Sequence, residues 1–87
     1  MRNKTALVTG ASDGIGLEFC KILASHGYNL ILVARREAKL KEVAIHLTQS
    51  KGIQCTVIAA DLSLPQAAQL LFQNTKDQGL QVDFLIN

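Results

Sequence analysis

The 87-residue sequence predicts an α/β fold: half of a doubly wound parallel sheet, with strand order 3-2-1-4 and three helices. Short apolar segments alternate strictly with segments of helical period, and only a few residues separate one from the next. A glycine-rich turn follows the first apolar segment and marks the point at which the strand order reverses. Strands that are apolar on both faces and joined by helical crossovers are expected to be parallel, because right-handed crossovers cover both faces of the sheet.

Four segments have the composition of buried strands. The first is rich in β-branched residues and ends at a glycine. The second, NLILVA, is apolar on both faces, as a central parallel strand is. The predicted strands are residues 4–9, 29–34, 54–60 and 82–87.

Between the strands, apolar residues recur at the spacing of one helix face. The first helix follows the glycine turn, the second covers residues 36–50, and the third precedes the last strand. The apolar positions are Ile15, Phe19, Ile22 and Leu23 in the first helix; Leu40, Val43, Ala44 and Leu47 in the second; and Ala67, Ala68, Leu71 and Phe72 in the third.

Glycines and one capping motif predict where the helices end and begin. Gly27, Gly52 and Gly79 lie where the three helices are expected to end, since glycine readily adopts the left-handed conformation that closes a helix. Ser63 and Gln66 have the spacing of a capping box, which predicts that the third helix opens there with Pro65 in its first turn.

The composition excludes several classes of protein. With 48% apolar residues and a mean hydropathy of +0.19, the chain is not intrinsically disordered. A net charge of +2 with scattered basic residues argues against nucleic acid as a partner, and no apolar segment approaches the ~20 residues that span a bilayer. Cys20 and Cys55 have neither metal-binding nor redox spacing, so we expect no metal site and a cytoplasmic location.

The glycine-rich turn, GASDGIG, has the composition of a phosphate-binding turn. Gly10 permits a sharp turn out of the strand, Gly14 permits close approach of a pyrophosphate, and Gly16 permits close packing of helix on strand. N–H groups at the helix start would then hold the diphosphate. The motif is not a P-loop, because no lysine follows Gly16. A tight strand-to-helix turn without a ligand remains the alternative.

With Thr9, the turn reads TGASDGIG, and this T-G-x-x-x-G-x-G pattern resembles the short-chain dehydrogenase/reductase family. Asp61-Leu62 follows the third strand, where the family has an Asp that contacts adenine, and Asn87 matches the start of the family's N-N-A-G motif. The resemblance covers the whole chain. It implies that residues 1–87 are an N-terminal NAD(P)-binding Rossmann half-domain that ends before the catalytic residues.

The end of the second strand indicates which nicotinamide cofactor is bound. NAD requires an acidic residue there, but this sequence has Ala34 followed by Arg35 and Arg36, which suit the 2′-phosphate of NADP. NADP is therefore favoured over NAD. Asp13 is a departure, because many relatives that prefer NADP have a basic residue at that position. The cofactor-binding residues that the resemblance implies are Gly10, Ser12, Asp13, Gly14, Ile15, Gly16, Arg35, Arg36, Asp61, Leu62 and Asn87.

Each of these polar residues also has an interpretation that involves no ligand, and the sequence leaves both interpretations open. The two arginines could be no more than the solvated start of a helix. Ser12 could cap the first helix, and Asp61 could be a loop residue ahead of the Ser63 cap.

The catalytic residues of the family have no counterpart here. Family members use a Tyr followed four residues later by a Lys, together with a Ser, but the only tyrosine is Tyr28 and Leu32 follows it at that spacing. We expect the whole protein to transfer a hydride between NADP(H) and a small-molecule carbonyl or alcohol substrate, and this chain alone to be inactive. A methyltransferase-like nucleoside site and a non-catalytic nucleotide-binding or assembly module remain as alternatives.

The last strand predicts self-association. In the family fold a fifth strand lies beside the fourth, and residues 82–86 are apolar on both faces with neither Pro nor Lys to protect the edge. We therefore expect a homo-oligomer, formed through this strand or the faces beside it.

Overall fold

The computed structural model describes residues 3–86 and has the predicted architecture, a four-stranded parallel sheet in the order β3-β2-β1-β4 with three helices. The α/β fold class and the strand order are confirmed. The elements are β1 (Thr5–Thr9), α1 (Gly14–Ser25), β2 (Asn29–Ala34), α2 (Glu37–Lys51), β3 (Cys55–Ala59), α3 (Ala67–Asp77) and β4 (Phe84–Ile86).

The helices cover both faces of the sheet. Ala6 and Val8 of β1 belong to one buried cluster with residues of α1 and α2, whereas Leu7, between them in the strand, belongs to a second cluster with Leu71 of α3. Because successive strand residues point to opposite faces, α1 and α2 lie on one face and α3 on the other. Both central strands are buried on both sides, as their continuous apolar sequence predicts.

The apolar face predicted for α1 is only partly the face that packs on the sheet. Ile15 is 77% exposed, and Phe19 and Ile22 are also exposed, whereas Leu23 packs against the core. The buried residues of the helix are the small Cys20 and Ala24, and Leu17 is partly buried beside them. The packing face is therefore rotated from the predicted stripe and shares only Leu23 with it.

The predicted capping box of the third helix is wrong. The hydroxyl and N–H groups of Ser63 both donate to the carboxylate of Asp61, at 2.6 and 3.0 Å, so the hydroxyl is not available to cap the helix. The helix starts later, at Ala67, and Pro65 lies outside it. Gln66 precedes it with a φ of +66°, a left-handed conformation that is rare for residues other than glycine.

Both cysteines are free thiols held within the fold. Burial, reinforced by the neighbouring Cys55, raises the pKa of Cys20 to about 12. Burial also raises the pKa of Cys55. Both thiols are therefore protonated and weakly nucleophilic at neutral pH.

The last strand is shorter than predicted and pairs with β1 along one edge. Two hydrogen bonds set its register: the Asp83 N–H donates to the Thr5 carbonyl at 2.8 Å, and the Thr5 N–H donates to the Asp83 carboxylate at 2.8 Å. Asn87, predicted to end this strand, lies outside the described residues. None of the helices in residues 3–86 is long and apolar enough to cross a membrane.

The outer edge of β4 is an apolar surface. Phe84 and Leu85 are 47% and 52% exposed and lie on opposite faces, since they pair with the consecutive β1 residues Ala6 and Leu7. Within residues 3–86, β4 has a neighbouring strand on one side only. An apolar edge with unpaired N–H and C=O groups favours pairing with another chain.

We expect the 87-residue chain to self-associate through this edge at micromolar concentration. Light scattering over a dilution series should show a concentration-dependent mass, and Leu85→Lys should shift it toward the monomer, because a charged edge residue opposes strand pairing. Ile45→Lys is the matched control, since Ile45 is 58% exposed on α2 and lies away from the edge. A monomer of constant mass whose amides 84–86 resist hydrogen exchange would contradict the expectation.

Candidate functional site

A cavity of about 480 Å³ lies at the carboxyl edge of the sheet, within the size range of small-molecule sites. The segments that follow β1, β2 and β3 meet here, because parallel strands deliver their carboxyl ends to one edge. The lining residues are Thr9, Gly10, Ser12, Asp13, Val33, Ala34, Arg35, Arg36, Ala60, Asp61 and Leu62.

The turn between β1 and α1 forms one wall of the cavity. Gly10 has a φ of +63°, which turns the chain sharply out of the strand without the strain that a Cβ would cause. The Ala11 N–H donates to the Val33 carbonyl at 3.2 Å and ties the turn to the end of β2.

Gly16 allows the helix to start directly against the strand. A Cβ built on Gly16 would lie 2.1 Å from the carbonyl oxygen of Gly10 and 3.1 Å from that of Thr9. Neither contact can be relieved by a side-chain movement, because both atoms belong to the backbone. The predicted role of Gly16 in close packing is confirmed.

The start of α1 presents hydrogen-bond donors beside the cavity. The Leu17 N–H donates to the Asp13 carbonyl at 3.2 Å. The N–H groups of Gly14, Ile15 and Gly16 come before it, and the helix supplies them with no acceptor. Such groups, with the positive end of the helix dipole, favour an anion.

Ser12 and Asp13 are polar side chains without protein partners. Ser12 is only 9% exposed, yet its hydroxyl makes no hydrogen bond within residues 3–86 and it lines the cavity. Asp13, not Ser12, occupies the position before the helix, and its side chain makes no capping bond. The interpretation of Ser12 as the helix cap is therefore wrong.

Arg35 and Arg36 supply the positive charge of the cavity. They follow β2 directly, where Ala34 occupies the position at which an acidic residue would bind a ribose hydroxyl. Both side chains are exposed, and in the described part of the chain neither forms an ion pair. Arg36 also directly precedes α2. It therefore marks the start of that helix, as the structural interpretation predicts, whether or not it also binds a ligand.

Asp61 is fixed on the opposite wall. The hydrogen bonds from the Ser63 hydroxyl and then the Ser63 N–H hold the pKa of the Asp61 carboxyl below its usual value, and Arg35 lowers it further. The Ala60 N–H donates to the Ala34 carbonyl at 2.9 Å, which holds the segments after β2 and β3 together. The carboxylate is therefore both ionised at neutral pH and held in place.

The structure brings most of the predicted site residues together, but not all. Gly14 and Ile15 lie on the outer surface of α1, next to Phe19 and Ile22, and Gly16 lies beneath the turn. The position of Asn87 stays untested. The residues that line the cavity as predicted are Gly10, Ser12, Asp13, Arg35, Arg36, Asp61 and Leu62.

Sequence reasoning did not assign four lining residues to the site: Thr9, Val33, Ala34 and Ala60. Thr9 belongs to the glycine motif and Ala34 marks the absence of an acidic residue, whereas Val33 and Ala60 carry no chemical signal of their own. All four lie at or near a strand's carboxyl end, which is the feature that could have identified them. Within residues 3–86, no group of three or more His, Cys, Asp or Glu side chains could hold a metal ion.

Comparison with known proteins agrees with this geometry. The family model for the short chain dehydrogenases matches residues 4–87. A 7beta-hydroxysteroid dehydrogenase from Collinsella aerofaciens is 38% identical over 79 residues, which are 91% of this chain and 29% of that protein. A very-long-chain 3-oxoacyl-CoA reductase from Pyrenophora tritici-repentis is 43% identical over 88 residues, covering 99% of this chain and 26% of that protein.

Among solved structures, that of L-sorbose reductase from Gluconobacter frateurii, complexed with NADPH and L-sorbose, is similar to this one. The TM-score is 0.91 at 30% identity, over 98% of this chain and 32% of the reductase chain. The chain thus spans between a quarter and a third of the length of the relatives it matches.

Replacing Gly16 should disrupt the turn selectively. We expect Gly16→Ala to lower the free energy of unfolding by about 1–3 kcal/mol, as overpacking does, because the helix start must move away from β1. Urea unfolding measures the loss, and amide exchange in residues 10–16 should become faster. Gly52→Ala is the matched control: its φ of +71° makes alanine costly, but nothing lies within 4 Å of the added Cβ. Unchanged exchange in the Gly16→Ala turn would contradict the assigned role of this contact.

Proposed function

The chain belongs to the short-chain dehydrogenase family, and on that premise we propose that its 87 residues are the N-terminal NADP-binding half-domain of an oxidoreductase. In this proposal the whole protein transfers a hydride between NADP(H) and a small-molecule carbonyl or alcohol substrate. The proposal is supported by the cavity, which Arg35 and Arg36 line together with Ser12 and Asp13 of the turn that leads into α1.

The helix start suits the diphosphate of the dinucleotide. Its free N–H groups and the Ser12 hydroxyl are donors, and donors directed at phosphate oxygens form strong charge-assisted hydrogen bonds. Ser12 lines the cavity, and within residues 3–86 its hydroxyl makes no hydrogen bond that would prevent it from donating to a phosphate oxygen.

The arginines suit the 2′-phosphate that distinguishes NADP from NAD. A guanidinium binds a phosphate through parallel N–H bonds. Neither arginine forms an ion pair within residues 3–86, and Arg35 interacts with Asp61 only enough to lower the pKa of that carboxyl. Ala34 leaves no carboxylate at the end of β2 to accept from a ribose hydroxyl. The site therefore favours the phosphorylated cofactor, with NAD as the weaker ligand.

Asp61 and Leu62 complete the adenine side of the proposed site. One oxygen of Asp61 accepts both bonds from Ser63, which leaves the other oxygen available to an adenine amino group. Leu62 is 37% exposed and lines the same cavity, so it offers an apolar contact for the base. Asn87 is proposed as a further cofactor residue from its sequence position alone.

Among the described residues, no tyrosine or lysine that could transfer the proton lines this cavity. Tyr28 precedes β2 at the amino edge of the sheet, where its ring centroid lies 5.6 Å from that of Phe84. The cavity lies at the opposite, carboxyl edge. We therefore assign Tyr28 a packing role.

Removing the charge of Arg35 should weaken binding of the phosphorylated ligand selectively. We expect Arg35→Gln to weaken binding of 2′,5′-ADP by about 10- to 100-fold and to leave 5′-AMP almost unaffected, because only the first ligand carries the 2′-phosphate. Calorimetric titration measures both. Lys51→Gln, which removes one positive charge at the far end of α2, is the matched control. Equal affinity of the unmodified chain for 2′,5′-ADP and 5′-AMP would contradict the assignment of NADP as the preferred cofactor.

The 87-residue chain should bind the nucleotide without catalysing its oxidation or reduction. Mixed with NADPH and a carbonyl substrate, it is expected to cause no loss of absorbance at 340 nm, because within residues 3–86 no tyrosine or lysine lines the cavity. Carbonyl-dependent oxidation of NADPH by the pure chain would show that the active site has been misplaced.

A further inference from the structure

Ser63 holds the carboxylate of Asp61 in one orientation. Its hydroxyl and its N–H both donate to Oδ1 of Asp61, at 2.6 and 3.0 Å, and Oδ2 accepts no hydrogen bond within residues 3–86. The Leu64 N–H donates to the Asp61 carbonyl at 3.1 Å and closes the same turn. Asp61 lines the cavity, whereas Ser63 does not. Because two bonds to one oxygen restrict rotation of the carboxylate, a residue outside the cavity determines how a charged group of the cavity is oriented.

The same two bonds keep Asp61 from pairing with Arg35. The bonds from Ser63 lower the pKa of the Asp61 carboxyl most, and the Arg35 guanidinium lowers it further, so the two charges are near each other. No ion pair joins them, however, in the part of the chain that the structure describes. A carboxylate released from Ser63 would be drawn toward this guanidinium, because opposite charges attract and no other bond would hold it.

An oriented, ionised carboxylate distinguishes between purine bases. It accepts hydrogen bonds and donates none, and the 6-amino group of adenine is a donor, whereas the 6-oxo group of hypoxanthine is an acceptor. We propose that Ser63 is a positioning residue that holds Asp61 ready for the amino group of the base, and so gives the site a preference for adenine over hypoxanthine. This rests on the proposed function and deepens it, because it assigns the selectivity for the base to a residue that does not line the cavity.

Ser63→Ala tests this, because it removes the hydroxyl bond and leaves the backbone bond in place. For the 87-residue chain we expect the affinity for 5′-AMP, relative to that for 5′-IMP, to fall about three- to tenfold in calorimetric titration, the effect of losing one hydrogen bond to a charged group. The affinity for 5′-AMP should fall and that for 5′-IMP should not, whereas a loop that is merely loosened would lower both together. Ser63→Thr, which keeps the hydroxyl, should restore the ratio.

Ser50→Ala is the matched control. The Ser50 hydroxyl donates to the His46 carbonyl at 2.7 Å near the end of α2, so this variant also loses one exposed hydroxyl bond and should leave the ratio unchanged. Equal affinities of the unmodified chain for 5′-AMP and 5′-IMP, or a ratio that Ser63→Ala does not lower, would overturn the proposal for Ser63 and leave the proposed function standing. Failure of the unmodified chain to bind 2′,5′-ADP or 5′-AMP would overturn both.

Discussion

The arrangement of residues at the carboxyl edge of the sheet depends on how closely the start of α1 approaches the end of β1. A Cβ on Gly16 would lie 2.1 Å from the Gly10 carbonyl oxygen, so the contact exists only because residue 16 has no side chain. The side of α1 that faces the sheet carries the small buried residues Cys20 and Ala24, with the partly buried Leu17 and Leu23 beside them. The contact at Gly16 also places the first turn of α1, whose N–H groups have no acceptor within the helix, directly after the turn that lines the cavity.

The charges around that edge are arranged by the strands. Arg35 and Arg36 follow β2 and Asp61 follows β3, and a backbone hydrogen bond from Ala60 to Ala34 holds the two segments side by side. Asp61 is ionised and locked to Ser63, while the arginines and Asp13 have no ion-pair partner in residues 3–86. One carboxylate held by Ser63 and three charged side chains without such bonds therefore surround one cavity.

Sequence patterns predicted the sheet better than the helices. The glycine-rich turn leads from β1 into α1 as expected. The strand β2, which is apolar on both faces, lies inside the sheet as expected. For α1, three of the four residues of the predicted apolar stripe are exposed and Leu23 alone packs against the core, because periodicity finds an apolar stripe whether or not anything covers it. For α3, the capping box failed because Asp61, two residues before Ser63, competes for the same hydroxyl. Residue types could identify the charged members of the site, whereas Val33 and Ala60 could be assigned only from their place at the strand ends.

The central claim is that these 87 residues by themselves form the adenosine end of a dinucleotide site. Its most direct test is to titrate the ¹⁵N-labelled chain with 2′,5′-ADP and map the amide shift changes by NMR. The largest changes should fall in residues 10–16, 35–36 and 61–62, the three segments that meet at the carboxyl edge. Changes centred instead on the groove between β3 and α3, at Leu64 and Leu70, or no changes at millimolar nucleotide, would contradict the claim.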